Sequence, residues 1–179
     1  MRDVDFGSFS EQFMADGMAG NWTRNTTRLQ AADAMVKLIE SVTGKTIDQI
    51  AAEKGFNMND RFADTDSKAA AFLKASGISA GVDGVNYGVP LGFNRAQMVT
   101  MLGRMAEKIF DMDLSGYPLG SAQFQDILGA ADWADGYIGW AAEVGITQGT
   151  QYTLFSPLNG LEKQQTGVFM NRAFGVLKN

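Results

Sequence analysis

Three stretches of the chain share a helical period of apolar positions. The first opens at Thr27 and places Leu29, Ala32, Val36 and Ile39 three or four residues apart, the spacing that lays one apolar stripe along a helix. The second is "FNRAQMVTMLGRM", opening at Asn94, and the third opens at Glu162. Ala, Met, Leu and Val dominate these stretches, and "MVTMLGRM" suits close contact between helices. A shorter helical stretch precedes each of two glycine pairs, Gly77-Ile-x-x-Gly81 and Gly145-Ile-x-x-Gly149. The connectors "GKTIDQIAAEKGFNMNDR" and "DMDLSGYPLGSAQ" separate these blocks, and the first carries one more short helix from about Thr46 to Lys54. No segment alternates for long enough to form a convincing strand, so the pattern predicts an all-α chain.

The blocks repeat. Phe62-Ala-Asp64 precedes the first glycine pair and Phe124-Gln-Asp126 the second. From the second glycine of each pair to the basic residue that starts the next helix is 14 residues in both copies, Gly81 to Arg95 and Gly149 to Lys163. A shortened copy stands in front, with Gly17-Met-x-Gly20 and the helix start Thr27-Arg-Leu-Gln30. The three starts align as Thr27-Arg-Leu-Gln30, Asn94-Arg-Ala-Gln97 and Glu162-Lys-Gln-Gln165. Their basic second residues, Arg28, Arg95 and Lys163, lie 67 and 68 residues apart. Seven residues beyond each glutamine comes another basic residue, Lys37, Arg104 or Arg172. The chain is a three-unit array: unit 1 spans 1–43, a linker 44–61, unit 2 62–110, a linker 111–123, and unit 3 124–179. No single unit can bury its apolar face alone, so the three long helices are expected to form one three-helix core with approximate threefold symmetry. Gly77 and Gly145 are expected to hold the left-handed conformation that stops a helix, with the following isoleucine packing back over the last turn.

Composition narrows the function. The chain has 179 residues, 45% hydrophobic and 20% charged, the balance of a globular protein, and no apolar run approaches the roughly 20 residues of a membrane span. The first residues, "MRDVDFGSFSEQF", lack the basic-then-apolar layout of a signal peptide. Cysteine and histidine are both absent. That removes disulfides, thiolate metal sites, the commonest zinc ligand and the usual general base. A net charge of −5 argues against a general nucleic-acid binder. A non-catalytic role is therefore expected, with no cofactor. The run Asp111-x-Asp113-x-Ser115-Gly116 matches the start of a calcium loop, but position 12 is Ala122 in place of the bidentate glutamate, so no metal site is expected.

The helix starts carry the candidate chemistry. Thr27 with Gln30 and Asn94 with Gln97 are capping boxes. A cation in the first helical turn is electrostatically misplaced, because the helix dipole already concentrates positive charge there. Its recurrence at Arg28, Arg95 and Lys163 points to an anionic ligand bound at a helix N-terminus, or to internal ion pairs, for which Asp64 and Asp126 are the nearest candidates in the pattern. Lys163 lacks the fork geometry of arginine, and Glu162 stands where a favoured cap residue is expected. Trp133, Tyr137 and Trp140 fall on one short helix, which packing alone would explain; a partly exposed Trp133 would instead offer a stacking face to a sugar ring.

The ordered set Phe-x-Asp, Gly-Ile-x-x-Gly, Phe155-x-Pro157 and a Thr-Arg-Ala-Glu-like helix start resembles the S-layer homology family over essentially the whole chain. Unit 3 keeps Phe124-x-Asp126, Trp133, Gly145-Ile-x-x-Gly149-Thr150 and Phe155-x-Pro157; unit 2 keeps Phe62-x-Asp64, the glycine pair and "NRAQ"; unit 1 keeps "TRLQ" and little else. The resemblance implies a pseudo-threefold spindle around a central three-helix bundle. It also implies a non-catalytic, extracellular module that anchors proteins to bacterial cell-wall polysaccharide, commonly pyruvylated, with other surface-layer subunits as further partners. Under it, Arg28, Arg95 and Lys163 would contact the acidic group, and Asp64, Asp126, Gly81, Gly149, Thr150 and Trp133 would shape the inter-repeat grooves. The family's glutamate is glutamine in all three units, Gln30, Gln97 and Gln165, which keeps the cap and removes a negative charge beside each cation.

Overall fold

The structure is a computed structural model that describes Phe13 and residues 20–179. The Gly17 half of the first unit's glycine pair and the stretch "MRDVDFGSFSEQ" lie outside the described residues. The described chain is all-α, with α1 (Arg28–Thr43), α2 (Ile47–Lys54), α3 (Lys68–Ala75), α4 (Arg95–Phe110), α5 (Asp135–Glu143) and α6 (Lys163–Leu177). Extended pairing among the described residues is limited to isolated bridges.

Local chemistry sets the helix starts. Gln30 N–H donates to Thr27 Oγ1 at 3.2 Å while Thr27 N–H donates to Gln30 Oε1 at 3.0 Å. Asn94 and Gln97 repeat the exchange at 2.9 and 3.0 Å, so two orphan amides are satisfied at each start. At α6 the glutamine arm survives the unusual cap, with Glu162 N–H donating to Gln165 Oε1 at 3.1 Å.

The long helices α1, α4 and α6 pack against one another as the centre of the molecule. Their burial runs wider than a single stripe. Along α4 every residue from Met98 to Gly103 is buried, and on α1 Ala31, Met35 and Leu38 are fully buried while Leu29 and Val36 are only half-buried. A central helix is enclosed by its neighbours on several sides, whereas a period of 3.6 read along the sequence marks only one face.

Three bridges show how the units close into a ring. Thr27 pairs with Gly92, Asn94 with Gly160, and Glu162 with Asn25. Each joins a helix-cap residue to the residue two positions before the cap of the next unit, and the third returns to the first. The left-handed residues Asn21, Gly88 and Ser156, with φ of 50°, 85° and 59°, follow the 67- and 68-residue offsets that relate the basic residues. The backbone therefore repeats in unit 1 where its sequence has drifted. The short helices follow the same cyclic rule: α3 packs on α1 and α5 packs on α4, while the Phe13 ring packs on Phe174 of α6 at 5.1 Å.

Gly77 and Gly145 terminate α3 and α5 with φ of 75° and 83°, and Ile78 and Ile146 behind them are fully buried. A Cβ would meet little at either position, so the cost of a side chain there is backbone strain. Gly77→Ala and Gly145→Ala are each expected to lower stability by about 1 kcal/mol. Chemical denaturation checks this, and an unchanged midpoint for both would contradict it.

Candidate functional site

Each Phe-x-Asp motif fastens a loop that crosses to the neighbouring unit's helix. Asp64 Oδ1 accepts Tyr87 N–H at 2.7 Å, and Oδ2 accepts Gly88 N–H at 2.8 Å and Val89 N–H at 3.1 Å. Asp126 does the same in unit 3, accepting Phe155 N–H at 2.9 Å and Ser156 N–H at 2.8 Å. Beneath these loops the Phe62 ring lies 5.2 Å from Tyr87, and Phe124 lies 5.6 Å from Phe155. Desolvation raises the Asp64 pKa, but the amides of Tyr87, Val89 and Gly88 together outweigh it and hold the carboxyl below its ordinary value. A depressed folded-state pKa contributes stability that is present above the ordinary value and lost as pH falls through the folded value. Acidification below about pH 4 is therefore expected to loosen the 87–89 loop as Asp64 takes up its proton. Amide exchange at Tyr87, Gly88 and Val89 should rise there in the native protein, while Asp64→Asn should show faster exchange already at neutral pH and little further change in acid. The same acid response in both proteins would contradict it.

The fastened loops receive the basic residues. Arg28 Nε donates to Tyr87 O and Arg95 Nε to Phe155 O, both at 2.7 Å. The Arg28 guanidinium lies 5.0 Å from the Tyr87 ring centre and 5.9 Å from Phe93; that of Arg95 lies 4.7 Å from Phe155 and 5.2 Å from Phe169. Arg28 is 4% exposed, Arg95 1% and Lys163 8%. Burial pushes the Arg28 pKa below its ordinary value, against the opposing fields of Tyr87 and Asp64, and the group stays cationic. The first amides of the central helices are also engaged. Arg95 and Ala96 N–H donate to Asn159 O and Pro157 O, and Lys163 and Gln164 N–H donate to Arg24 O and Trp22 O.

At their helix starts Arg28 and Arg95 each meet a carbonyl and two ring faces of the next unit. Asp64 and Asp126 turn both carboxylate oxygens to loop amides. Neither finding could follow from local sequence, because the Arg–carbonyl contacts join residues 59 and 60 positions apart.

The glycine loops are tight for a packing reason. A Cβ on Gly81 would stand 2.2 Å from Asn86 O and 2.7 Å from the Phe62 ring; on Gly149 it would stand 2.5 Å from Leu154 O and 2.6 Å from the Phe124 ring. Thr150 Oγ1 is tied to Ser156 Oγ at 2.7 Å inside its own loop. Trp133 sits on a 3-10 turn, Asp132–Ala134, just before α5, so it does not share that helix with Tyr137 and Trp140. It is 52% exposed, whereas Trp140 is 1% exposed.

A groove of about 240 Å³ gathers several of these residues. Arg28 from unit 1, Gly81, Gln97, Thr100 and Arg104 from unit 2, and Trp133 from unit 3 all line it. Thr100 is 3% exposed and its Oγ1 has no hydrogen-bond partner among the described residues. The groove thus presents the half-buried Arg104 guanidinium, the Gln97 amide and an exposed indole, with Arg28 and the Thr100 hydroxyl buried in its wall, a set suited to an anionic, hydroxyl-rich ligand.

No protein-family model matches the sequence. The chain is similar to a cell surface protein of Thermoanaerobacter kivui. The two are 32% identical over 146 residues, which is 78% of this chain and 18% of that protein. The chain therefore spans less than a fifth of the length of the relative it matches.

The structure brings Arg28, Gly81 and Trp133 to one groove. Asp64, Asp126, Gly149 and Thr150 serve the loops, and Arg95 and Lys163 are buried at their helix starts. Arg104, Gln97 and Thr100 were missing from the expected site. Arg104 was visible as a recurrent basic position: its Nη1 lies 3.5 Å from Ile78 O, and Arg172 Nη1 donates to Ile146 O at 3.1 Å. Thr100 gave no signal, because a threonine inside an apolar helical run reads as packing.

Proposed function

We propose that the chain is a non-catalytic anchoring module of the S-layer homology type, acting outside the cell at the bacterial wall. It holds anionic wall polysaccharide, pyruvylated polymers included, in the grooves between its units. The observation that carries this reading is the groove where Arg28, Arg104, Thr100 and Trp133 converge from three units. Similarity to a protein described as a cell surface protein supports the surface location. Among the described residues no helix is long and apolar enough to cross a membrane. The acidic charge disfavours nucleic acid as a partner.

Cosedimentation with purified walls tests the reading, before and after secondary polymers are stripped. Binding should be lost on stripping and restored by adding the polymer back. Equal binding to stripped walls would overturn it. A second reading, a degenerate repeat that mediates assembly with other surface-layer subunits, is favoured by the use of Arg28 and Arg95 as internal ties. It predicts no sedimentation with either wall preparation and self-association in solution.

A further inference from the structure

Unit 2 fills a place that unit 3 leaves open. On α3 the Lys74 side chain is mostly buried, and its ammonium lies 5.0 Å from the centre of the Phe62 ring. It donates to Arg61 O at 3.0 Å and pairs with Asp60 Oδ1 at 2.8 Å. Ring face, carbonyl and carboxylate together make a complete seat for an ammonium on an alkyl stem. With the lysine in place, Phe62 is only 4% exposed.

Unit 3 has the seat without the lysine. Its backbone repeats the frame: Gly77 N–H donates to Lys74 O and Gly145 N–H to Ala142 O. Ala63 N–H likewise donates to Val85 O, and Gln125 N–H to Thr153 O. Ala142 therefore stands where Lys74 stands, Phe124 where Phe62 stands, and Gln123 where Arg61 stands. Alanine is too short to reach the ring. Phe124 is only half-buried, and with Gln123, Ala142 and Glu143 it lines a cavity of about 490 Å³. The carboxylate has moved, since Ala122 replaces Asp60 while Glu143 on α5 replaces Ala75. Glu143 accepts the Tyr117 hydroxyl and forms no ion pair among the described residues. Packing fixes the wall opposite: a Cβ on Gly139 would stand 2.6 Å from Ser121 Cβ, so the linker lies directly on α5.

We propose that this cavity binds a lysyl side chain of a partner polypeptide, its ammonium set over Phe124 beside Glu143 as Lys74 is set over Phe62 beside Asp60. A compact ammonium on a flexible four-carbon stem suits a ring face next to a carboxylate. Glu143 is the one charged residue lining the cavity, so an acidic ligand is repelled. The exposed Gln148 and Tyr152, which also line it, offer an amide and a phenol to the backbone that carries the lysine. The cavity shares no lining residue with the Trp133 groove and leaves that groove free.

Two probes test the site: N-acetyl-lysine methylamide, and N-acetyl-norleucine methylamide, which keeps the stem and lacks the charge. In amide NMR titrations of the full chain, the lysine probe should saturably shift Gln123, Phe124, Ala142 and Glu143. It should bind about tenfold tighter than the norleucine probe, the gain of a charge-assisted contact. Glu143→Gln should remove most of that difference. Ala142→Lys supplies the missing side chain from the chain itself, so it should abolish probe binding with no fall in melting temperature. No shifts at these amides, equal affinity for the two probes, or lysine binding that survives both variants would overturn the site. Wall cosedimentation of folded Ala142→Lys should match the native protein, which keeps the anchoring reading separate. Loss of wall binding in that variant would assign the cavity to glycan and overturn the polypeptide ligand.

Discussion

Arg95→Ala is expected to lower stability by about 3–5 kcal/mol, the sum of a vacated core volume and an unsatisfied carbonyl. The side chain is 1% exposed, its Nε is bonded to Phe155 O, and two aromatic rings flank the guanidinium. Removing it leaves that carbonyl facing a void and weakens the joint by which unit 3 closes on unit 2, where the backbone bonds of Arg95 and Ala96 to Asn159 O and Pro157 O remain. For a chain of this size each kcal/mol shifts the melting temperature by roughly 2–4 °C, so a fall of roughly 10 °C is expected. Arg95→Lys keeps the charge but loses the planar fork that reaches the carbonyl between two rings, and should fall in between. A melting temperature for Arg95→Ala within about 2 °C of the native protein, less than 1 kcal/mol on the same scale, would show that the tie is not structural.

This expectation reverses what the helix dipole suggests. A positive side chain in the first turn of a helix is unfavourable taken by itself, and on that basis its removal should be neutral or mildly stabilising. The dipole is a local term. The carbonyls and rings that outweigh it arrive from the next unit through the cyclic closure of the array, and no window of sequence around Arg28 or Arg95 contains them. What was legible shares the opposite property. Capping boxes at Thr27 and Asn94, the left-handed stops at Gly77 and Gly145, and the short helix α2 are fixed by residues within a few positions of one another. Repeats offset by 67 and 68 residues then made the three-helix centre legible as well, since a face too small to be buried alone must find copies of itself. The groove lay between these cases. Trp133 and Arg28 were visible as unusual residues, whereas Thr100 and Gln97 acquire meaning only once α4 is set against the neighbouring units.

Arg104→Ala is expected to separate binding from folding in a way Arg28 and Arg95 cannot. Its contact with Ile78 O is long, at 3.5 Å, the side chain also bonds the Tyr137 hydroxyl, and it is only half-buried, so its loss should cost about 1–2 kcal/mol of stability and a few degrees of melting temperature. The same guanidinium lines the groove beside Thr100 and Trp133. A charge-assisted contact to a sugar acid contributes about 1.5–3 kcal/mol, so wall affinity should drop by roughly 10- to 100-fold. Trp133→Ala should follow the same pattern, because an indole already half in solvent contributes little to the fold and a stacking face to a ligand. Arg172→Ala supplies the matched control: it removes the equivalent tie to Ile146 O and reports the structural cost of that tie. If Arg104→Ala and Arg172→Ala lose wall binding equally, and only in proportion to their melting temperatures, then Arg104 is a strut of the repeat and the Trp133 groove is not where the glycan binds.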